Sequence, residues 1–270
     1  MLILLPPSEG KTVPRRSMPL DLPGLSFPQL TEARAEVLEA LVVLCAGPGR
    51  AGTSDSAGAR IRAAEVLGLG PTQVEGVARN AELRRAPAER ADRVYSGVLY
   101  EALDLATLSG PARRRATSWI AITSGLFGLL RPADRIPAYR LSGSVTLPAT
   151  GQVATYWRSR LAPAVHEAAG RGLVVDLRSS TYASFWRPDP ELARRVVTVR
   201  VLHEVDGRRK VVSHFNKATK GRLVRALLEN GDAPSSPARF ADRVTALGWK
   251  TELGEQGRHG TQLDVVVTDL

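Results

Sequence analysis

A run of four apolar residues, Leu2 to Leu5, is followed at once by Pro6-Pro7-Ser8-Glu9-Gly10-Lys11-Thr12. Gly-Lys-Thr after a strand is the ending of a phosphate-cradling loop, in which backbone amides and a lysine surround the phosphates of a nucleotide. That loop needs a glycine five residues before Gly10. Leu5 stands there instead, and two prolines remove amide donors, so a nucleotide-hydrolysing loop is not expected. Ser8, Lys11 and Thr12 still lie just past a strand end, where ligands bind in α/β folds. A plain surface turn accounts for the same residues without a ligand.

The densest signal is Ser124-Gly-Leu-Phe-Gly-Leu-Leu-Arg-Pro-Ala-Asp-Arg-Ile-Pro-Ala-Tyr-Arg140, which directly follows an apolar segment. Gly125 and Gly128 permit close backbone packing, and Pro132 and Pro137 stiffen a loop carrying Arg131, Arg135 and Arg140. Guanidinium groups on a rigid loop suit bidentate binding of phosphate or carboxylate, with Asp134 placed to orient one of them. The alternative is a structural corner of salt bridges. Val175-Asp-Leu-Arg-Ser-Ser-Thr-Tyr182 also leaves an apolar strand, so that Asp176, Ser180 and Tyr182 can line the same crevice; equally, Asp176 can cap a turn. Lys217 and Lys220 are expected in the first turn of a helix, where the macrodipole disfavours cations and a bound anion would relieve the conflict.

Val66-Leu-Gly-Leu-Gly-Pro-Thr-Gln-Val74 has the glycine spacing of a helix-hairpin-helix turn. Gly68 and Gly70 would let the backbone approach a phosphate, gripping duplex DNA without reading bases. A helix pair joined by glycines is also an ordinary structural device. Other chemistries find little support. His166, His203, His214 and His259 show no metal-ligand spacing, no G-x-S-x-G elbow is present, and no pair of carboxylates stands out. His214 is expected on a strand, as a core or edge residue. No metal and no cofactor is expected, and no catalytic motif is established.

The elements that would position these residues follow from periodicity. Leu2–Leu5, Trp119–Thr123, Leu173–Leu177 and Val265–Thr268 read as strands. Val196–Leu202 and Lys210–Phe215 flank Asp206-Gly207, a hairpin signal because Asp-Gly accepts positive φ. Thr31, as N-cap, opens a helix with Ala33, Val37, Leu38, Leu41 and Leu44 on one face. Arg60–Ala86 reads as two short helices, Tyr95–Leu105 as a short helix or turn, Gln152–Ala169 as a helix interrupted at Pro163, and Lys217–Glu229 as an amphipathic helix. Residues 46–58 read as a flexible loop inserted in one domain that spans residues 1–270. The expected class is α/β (mixed α+β): a single mixed sheet surrounded by helices, with a helix-hairpin-helix-like element and a basic cleft.

Composition bounds the rest. The net charge of +10 raises the local concentration of anionic partners, although an Arg-rich, Ala-rich composition also arises without functional cause. One cysteine, Cys45, excludes an internal disulfide and fits a reducing compartment. No basic leader and no apolar stretch of about 20 residues is present, so a cytoplasmic protein without membrane contact is expected. Aromatic residues make up 5%, too few for broad base-stacking platforms.

The blocks LILLPPSEGKT, Val94-Tyr-Ser-Gly-Val-Leu99, Ser124 to Asp134, Pro137-Ala-Tyr-Arg140, Tyr156-Trp157, Val175 to Tyr182 and Val212-Ser-His-Phe-Asn-Lys217 occur in an order that resembles the YaaA peroxide-stress resistance family over nearly the whole length. The Pro-Pro-Ser-Glu-Gly-Lys start is similar to the actinobacterial branch; the enterobacterial branch has a shorter Ser-Pro-Ala-Lys start. The resemblance implies a mixed α/β fold with a positively charged cleft. It further implies DNA binding associated with a helix-hairpin-helix element, and a role in limiting intracellular iron and oxidative DNA damage. By motif, Lys11, Arg131, Tyr139, Arg140, Ser180, Tyr182 and Lys217 would line the cleft, and Gly68 and Gly70 would belong to the hairpin. Three functions stay open: a non-enzymatic protein that binds duplex or distorted duplex DNA, an enzyme or carrier for a small phosphate-bearing or nucleoside ligand, and an interaction protein whose basic face is incidental.

Overall fold

The computed structural model describes residues 1–47, 55–205, 208–210 and 212–268. Most of the expected loop at 46–58, and the expected turn Asp206-Gly207, lie outside them. One eight-stranded mixed sheet organises the molecule. Its strands are β1 (Leu2–Leu5), β2 (Ile120–Ser124), β3 (Gly128–Leu130), β4 (Val174–Asp176), β5 (Val196–Val205), β6 (Arg208–Lys210), β7 (Lys250–Gly257) and β8 (Gly260–Val267). The order across the sheet is β7-β8-β5-β4-β1-β2-β3, with β6 paired to β5.

The five inner strands are mutually parallel and the outer pairings are antiparallel. This explains the sequence pattern. Leu2, Ile3, Leu4 and Leu5 have no exposed surface because β1 is central and covered on both faces, so it reads as an unbroken apolar run rather than an alternation. The chain steps from β1 to β2 on one side, then returns to β4 on the other. The strand order therefore reverses between β1 and β4, and a crevice opens at the carboxyl ends of the strands beside such a reversal.

The longer helices are α1 (Thr31–Ala46), α2 (Asp55–Val66), α3 (Glu75–Ala81), α4 (Val98–Leu103), α5 (Gly110–Trp119), α6 (Val153–Arg158), α7 (Ala162–Ala169), α8 (Ser213–Asn230) and α9 (Pro237–Ala246). Helix α1 buries Ala33, Val37, Leu38 and Leu41 as expected, while Leu44 is only half-buried, and Leu30, not Thr31, occupies its N-cap. The expected interruption at Pro163 is real: α6 and α7 are separate helices, and the proline sits in the first turn of α7. Lys210–Phe215 is not one strand. The strand ends at Lys210 and α8 begins at Ser213, which places His214 in a helix. Helix α5 has no strong apolar period, since only Ala112 and Ala116 are buried, but Ser109 caps it by accepting from the Ala112 amide. Helix α9 is capped by Ser236 in the same way. Among the described residues no helix is long and apolar enough to cross a membrane.

Candidate functional site

The loop leaving β1 is held by backbone pairing to the segment before α4. The Thr12 amide donates to the Val94 carbonyl at 2.8 Å and the Ser96 amide to the Gly10 carbonyl at 3.2 Å. Lys11 and Tyr95 form an isolated antiparallel bridge. Gly97 adopts φ +103°, a conformation that L side chains rarely take, where this segment turns into α4. Lys11 thereby reaches in above two aromatic rings. Its Nζ lies 4.4 Å from the Tyr139 ring centroid and 5.4 Å from that of Tyr95, and it donates to the Ser8 carbonyl at 2.7 Å. Burial lowers the Lys11 ammonium to about 7; Glu9 opposes the shift, while Arg140 and Arg79 reinforce it.

Below Lys11 runs a buried chain of hydroxyls. Tyr95 Oη and Tyr139 Oη are 2.9 Å apart, Tyr139 Oη and Ser124 Oγ 2.8 Å, and Ser124 Oγ accepts from the Phe127 amide. Tyr100 stacks on Tyr95 and donates to the Pro6 carbonyl at 2.7 Å. Burial pushes the Tyr95 phenol up to about 12, and those of Tyr100, Tyr139 and Tyr182 well above their usual value. These tyrosines are hydrogen-bonding groups at neutral pH, not anions.

At the end of β4, Asp176 holds Arg178 through two parallel bonds of 2.9 and 2.7 Å, and both residues are buried. Arg178 also donates to the carbonyls of Tyr182 and Trp186. Desolvation alone would raise the Asp176 carboxyl. The charge and hydrogen bonds of Arg178, with Lys220 beyond, outweigh it and hold the pKa below the usual value. Lys220 is buried and donates to the Leu177 carbonyl at 3.1 Å; burial lowers it to about 8. It lies in the second turn of α8, not the first, so the expected conflict with the helix dipole is not what distinguishes it. Tyr182 is buried beside Ser142 and Gly143, Ser8 is partly exposed at the rim, and Ser180 and Lys217 are exposed.

The run from Ser124 to Arg140 is split between the two ends of the sheet. It contains β3, which carries the chain back down beside β2. Arg131 donates to the carbonyls of Ser118 and Ile120, at the start of β2. A strand rises about 3.3 Å per residue, which puts this roughly 13 Å from Ser124. Arg131 thus anchors the loop and does not join Lys11. Asp134 accepts from the Arg131 amide and from Ser26, and Arg135 donates to Ser17 and the Ala88 carbonyl. Only Tyr139 and Arg140 return to the carboxyl end. Arg140 donates to the Glu9 carbonyl at 2.9 Å and pairs with its carboxylate at 3.2 Å, while Asn80 brackets the Arg140 backbone with two hydrogen bonds.

Those bonds tie Arg140 to the helix pair α2–α3. Gly68, at φ +64°, lies in the turn after α2, and Gly70 precedes a short 3-10 turn leading to α3. Among the described residues no neighbour lies within 4 Å of where a Cβ would stand at either glycine. Gly68 and Arg140 line one open groove of about 630 Å³ with Ser142 and Ser144. Glu9 and Glu65 also line it, so one arginine there faces two carboxylates. A groove richer in arginine, about 580 Å³ in volume, is lined by Arg90, Arg93, Arg113 and Arg114 with Asp92. The sequence signalled it only by the run Arg113-Arg114-Arg115.

Much of the positive charge serves the fold. Arg34 is fully buried and donates to the carbonyls of Ser26, Phe127 and Leu129. Arg115 binds Leu228 and Glu229 carbonyls, and Arg225 those of Leu103 and Asp104 at the end of α4. Cys45 is buried and its thiol is pushed up to about 11, the unreactive form at neutral pH. Among the described residues no group of three or more His, Cys, Asp or Glu side chains is placed to hold a metal ion.

Residues 1–242 match the family described as peroxide stress protein YaaA. A UPF0246 protein of Streptomyces coelicolor is 48% identical over 272 residues, covering 100% of both chains. One from Corynebacterium efficiens is 40% identical over 269 residues, covering 98% of this chain and 100% of its own. With these matches running through the β1 loop, the Ser124 to Arg140 segment and the end of β4, the chain belongs to the YaaA peroxide stress protein family.

Proposed function

We propose that this protein serves the peroxide stress response by binding DNA and helping to limit iron-driven oxidative damage to it. The observation that carries this reading is the groove shared by Gly68 and Arg140. A glycine turn open on its Cβ side allows a phosphate to approach the backbone, and Arg140 supplies the charge once a phosphate replaces Glu9 as its partner. The net charge of +10 favours such an encounter. The test is titration into duplex and bulged DNA at several salt concentrations. For duplex, each phosphate neutralised contributes about −0.9 to the slope of log affinity on log salt. Arg140→Ala is expected to weaken binding and flatten that slope. Absence of binding at low salt overturns the proposal. Loss of binding only in Arg113→Ala/Arg114→Ala moves the contact to the arginine-rich groove.

A second reading is favoured by a different observation, the low-pKa Lys11 set among buried tyrosines at the strand ends. Ionisable groups perturbed in this way, beside a reversal of strand order, mark ligand sites. The ligand class is a small phosphate-bearing or nucleoside compound, with Arg140 taking its charge. Thermal-shift screening of nucleotides and sugar phosphates tests it, and no rise in melting temperature for any of them removes it. A ligand effect lost in Arg140→Ala with DNA binding unchanged separates this reading from the first.

A further inference from the structure

The chain has 32 arginines and only five lysines: Lys11, Lys210, Lys217, Lys220 and Lys250. Where a fixed positive charge is needed the sequence uses arginine, as at Arg34, Arg178 and Arg225. Yet two of the five lysines, Lys11 and Lys220, are the groups whose ammonium is desolvated, one beyond the end of β1 and the other against the end of β4. Arginine holds its charge at any accessible pH, whereas an amine surrenders its proton when buried. In a composition that prefers arginine, two of the five lysine amines stand where a neutral nitrogen can form.

Lys11 is the better placed of the two for chemistry. Its Nζ has a carbonyl acceptor and two aromatic rings around it. The neighbouring carboxylate, Glu9, is engaged by Arg140 at 3.2 Å. The hydroxyls beneath it stay protonated, so no phenolate competes to keep the ammonium charged. With a value of about 7, close to half of Lys11 is the free amine at neutral pH. The residue keeps part of its surface open to solvent. Lys11 and Arg140 donate to consecutive carbonyls, those of Ser8 and Glu9, so a nucleophile and an anion-binding fork from two separate segments meet at the loop after β1.

We propose that Lys11 acts covalently, its amine forming an imine with a small aldehyde or ketone whose phosphate or carboxylate is held by Arg140. The amine lone pair adds to the carbonyl carbon and gives a carbinolamine. The carbon–oxygen bond then breaks, and the two amine hydrogens leave with the carbonyl oxygen as water, so the step needs no oxidant or reductant. This inference rests on the small-ligand reading above and names the chemistry of that site.

The experiment incubates the full chain with pyridoxal 5′-phosphate, with glyoxylate and with uncharged propionaldehyde. Each is followed by borohydride reduction and peptide mass spectrometry. The reduced adduct is expected on Lys11 at about tenfold the occupancy of Lys210, Lys217 or Lys250 near neutral pH. Labelling of Lys11 is expected to level off above pH ~8, while that of exposed lysines keeps rising toward their ordinary value of about 10.4. Arg140→Ala should lower labelling by the two anionic probes and spare that by propionaldehyde. Even labelling of all five lysines, or labelling of Lys11 that rises without a plateau, overturns the proposal in the unmodified chain and needs no variant that folds. A rise in melting temperature with sugar phosphates but no Lys11 adduct refutes the imine and leaves the small-ligand reading standing. Neither response removes both.

Discussion

The Nζ of Lys11 lies 4.4 Å from the ring centroid of Tyr139, whose hydroxyl is 2.8 Å from Ser124 Oγ. One aromatic side chain thus connects the loop after β1 to the last residue of β2. Its ring faces a cation and its hydroxyl completes a buried polar chain. The pairing is tertiary throughout: Tyr139 is 128 positions from Lys11 and arrives only because β3 sends the chain away from the site and Ile136 to Arg140 brings it back.

Lys11 makes the stability of the fold depend on pH with a definite sign. Unfolded, its amine holds a proton up to about 10.4; folded, it releases it near 7. Between these values the unfolded chain binds more protons, so stability rises with pH, by at most ~1.4 kcal/mol per pH unit for one group. Below about 7 the full penalty applies. Lys11→Met keeps the stem and removes the slope. Urea unfolding at several pH values should show wild type gaining on the variant from neutral to alkaline pH, and Lys220→Met should remove a similar slope beginning near 8.

Tyr139→Phe keeps the ring over which Lys11 sits and deletes the hydroxyl that joins Tyr95 to Ser124. Ser124 retains the Phe127 amide as a partner, whereas Tyr95 Oη loses the hydrogen bond it shares with Tyr139. The expected cost is about 1–3 kcal/mol, that of a buried polar group left unpaired. The double variant Tyr95→Phe/Tyr139→Phe should cost less than the sum of the single changes, because one interaction is counted in both. Chemical denaturation of the four proteins measures this directly.

The strands β1 and β4 were legible because parallel strands covered on both faces become apolar runs, as Leu2 to Leu5 and Leu173 to Val175 are. The residues at their ends were legible for the same reason. The arginine loop was legible in its rigidity but not in its direction. Three residues, Gly128 to Leu130, are too few to announce an antiparallel strand, and that reversal is what takes Arg131 away from Lys11. Arg34 was hidden because a charged residue inside a helix pattern reads as solvent-facing; it is buried because three carbonyls converge on it. Helix α5 was hidden because two alanines are all that it buries, too small a stripe to show as a period.

The pair at the end of β4 predicts a large asymmetric effect. Asp176→Asn leaves the Arg178 guanidinium buried without its counter-charge, which costs about 3–5 kcal/mol. The Asp176 carboxyl is held below its usual value, so its contribution is present above about pH 4 and is lost as pH falls through the folded pKa. The variant should therefore be far less stable than wild type near neutrality and converge on it in acid. Replacing both partners, as Asp176→Leu/Arg178→Met, should recover much of the loss, since no uncompensated charge remains. Equilibrium unfolding across the acid range distinguishes the two variants.

Gly221 makes the last prediction, because it links packing to the site. Helix α8 crosses α4 at this residue. A Cβ there would collide with the Leu99 carbonyl oxygen and stand 2.9 Å from Ala102 Cβ and 3.0 Å from the Leu103 amide nitrogen. Two of those obstacles are backbone, so no change of rotamer relieves them and Gly221→Ala must push the helices apart. The expected destabilisation is about 1–3 kcal/mol, the range for overpacking. Ala102→Gly in the same chain should restore little, since the Leu99 carbonyl remains. Gly254 supplies the contrast: a Cβ there meets its nearest neighbour at 3.4 Å, an ordinary contact, and Gly254→Ala should be close to neutral. The displaced helices carry Lys220, bonded to the Leu177 carbonyl, and Tyr100, bonded to the Pro6 carbonyl. Gly221→Ala should therefore also alter the alkaline stability slope attributed to Lys220, and an unchanged slope beside a lowered melting temperature would confine the glycine's role to packing.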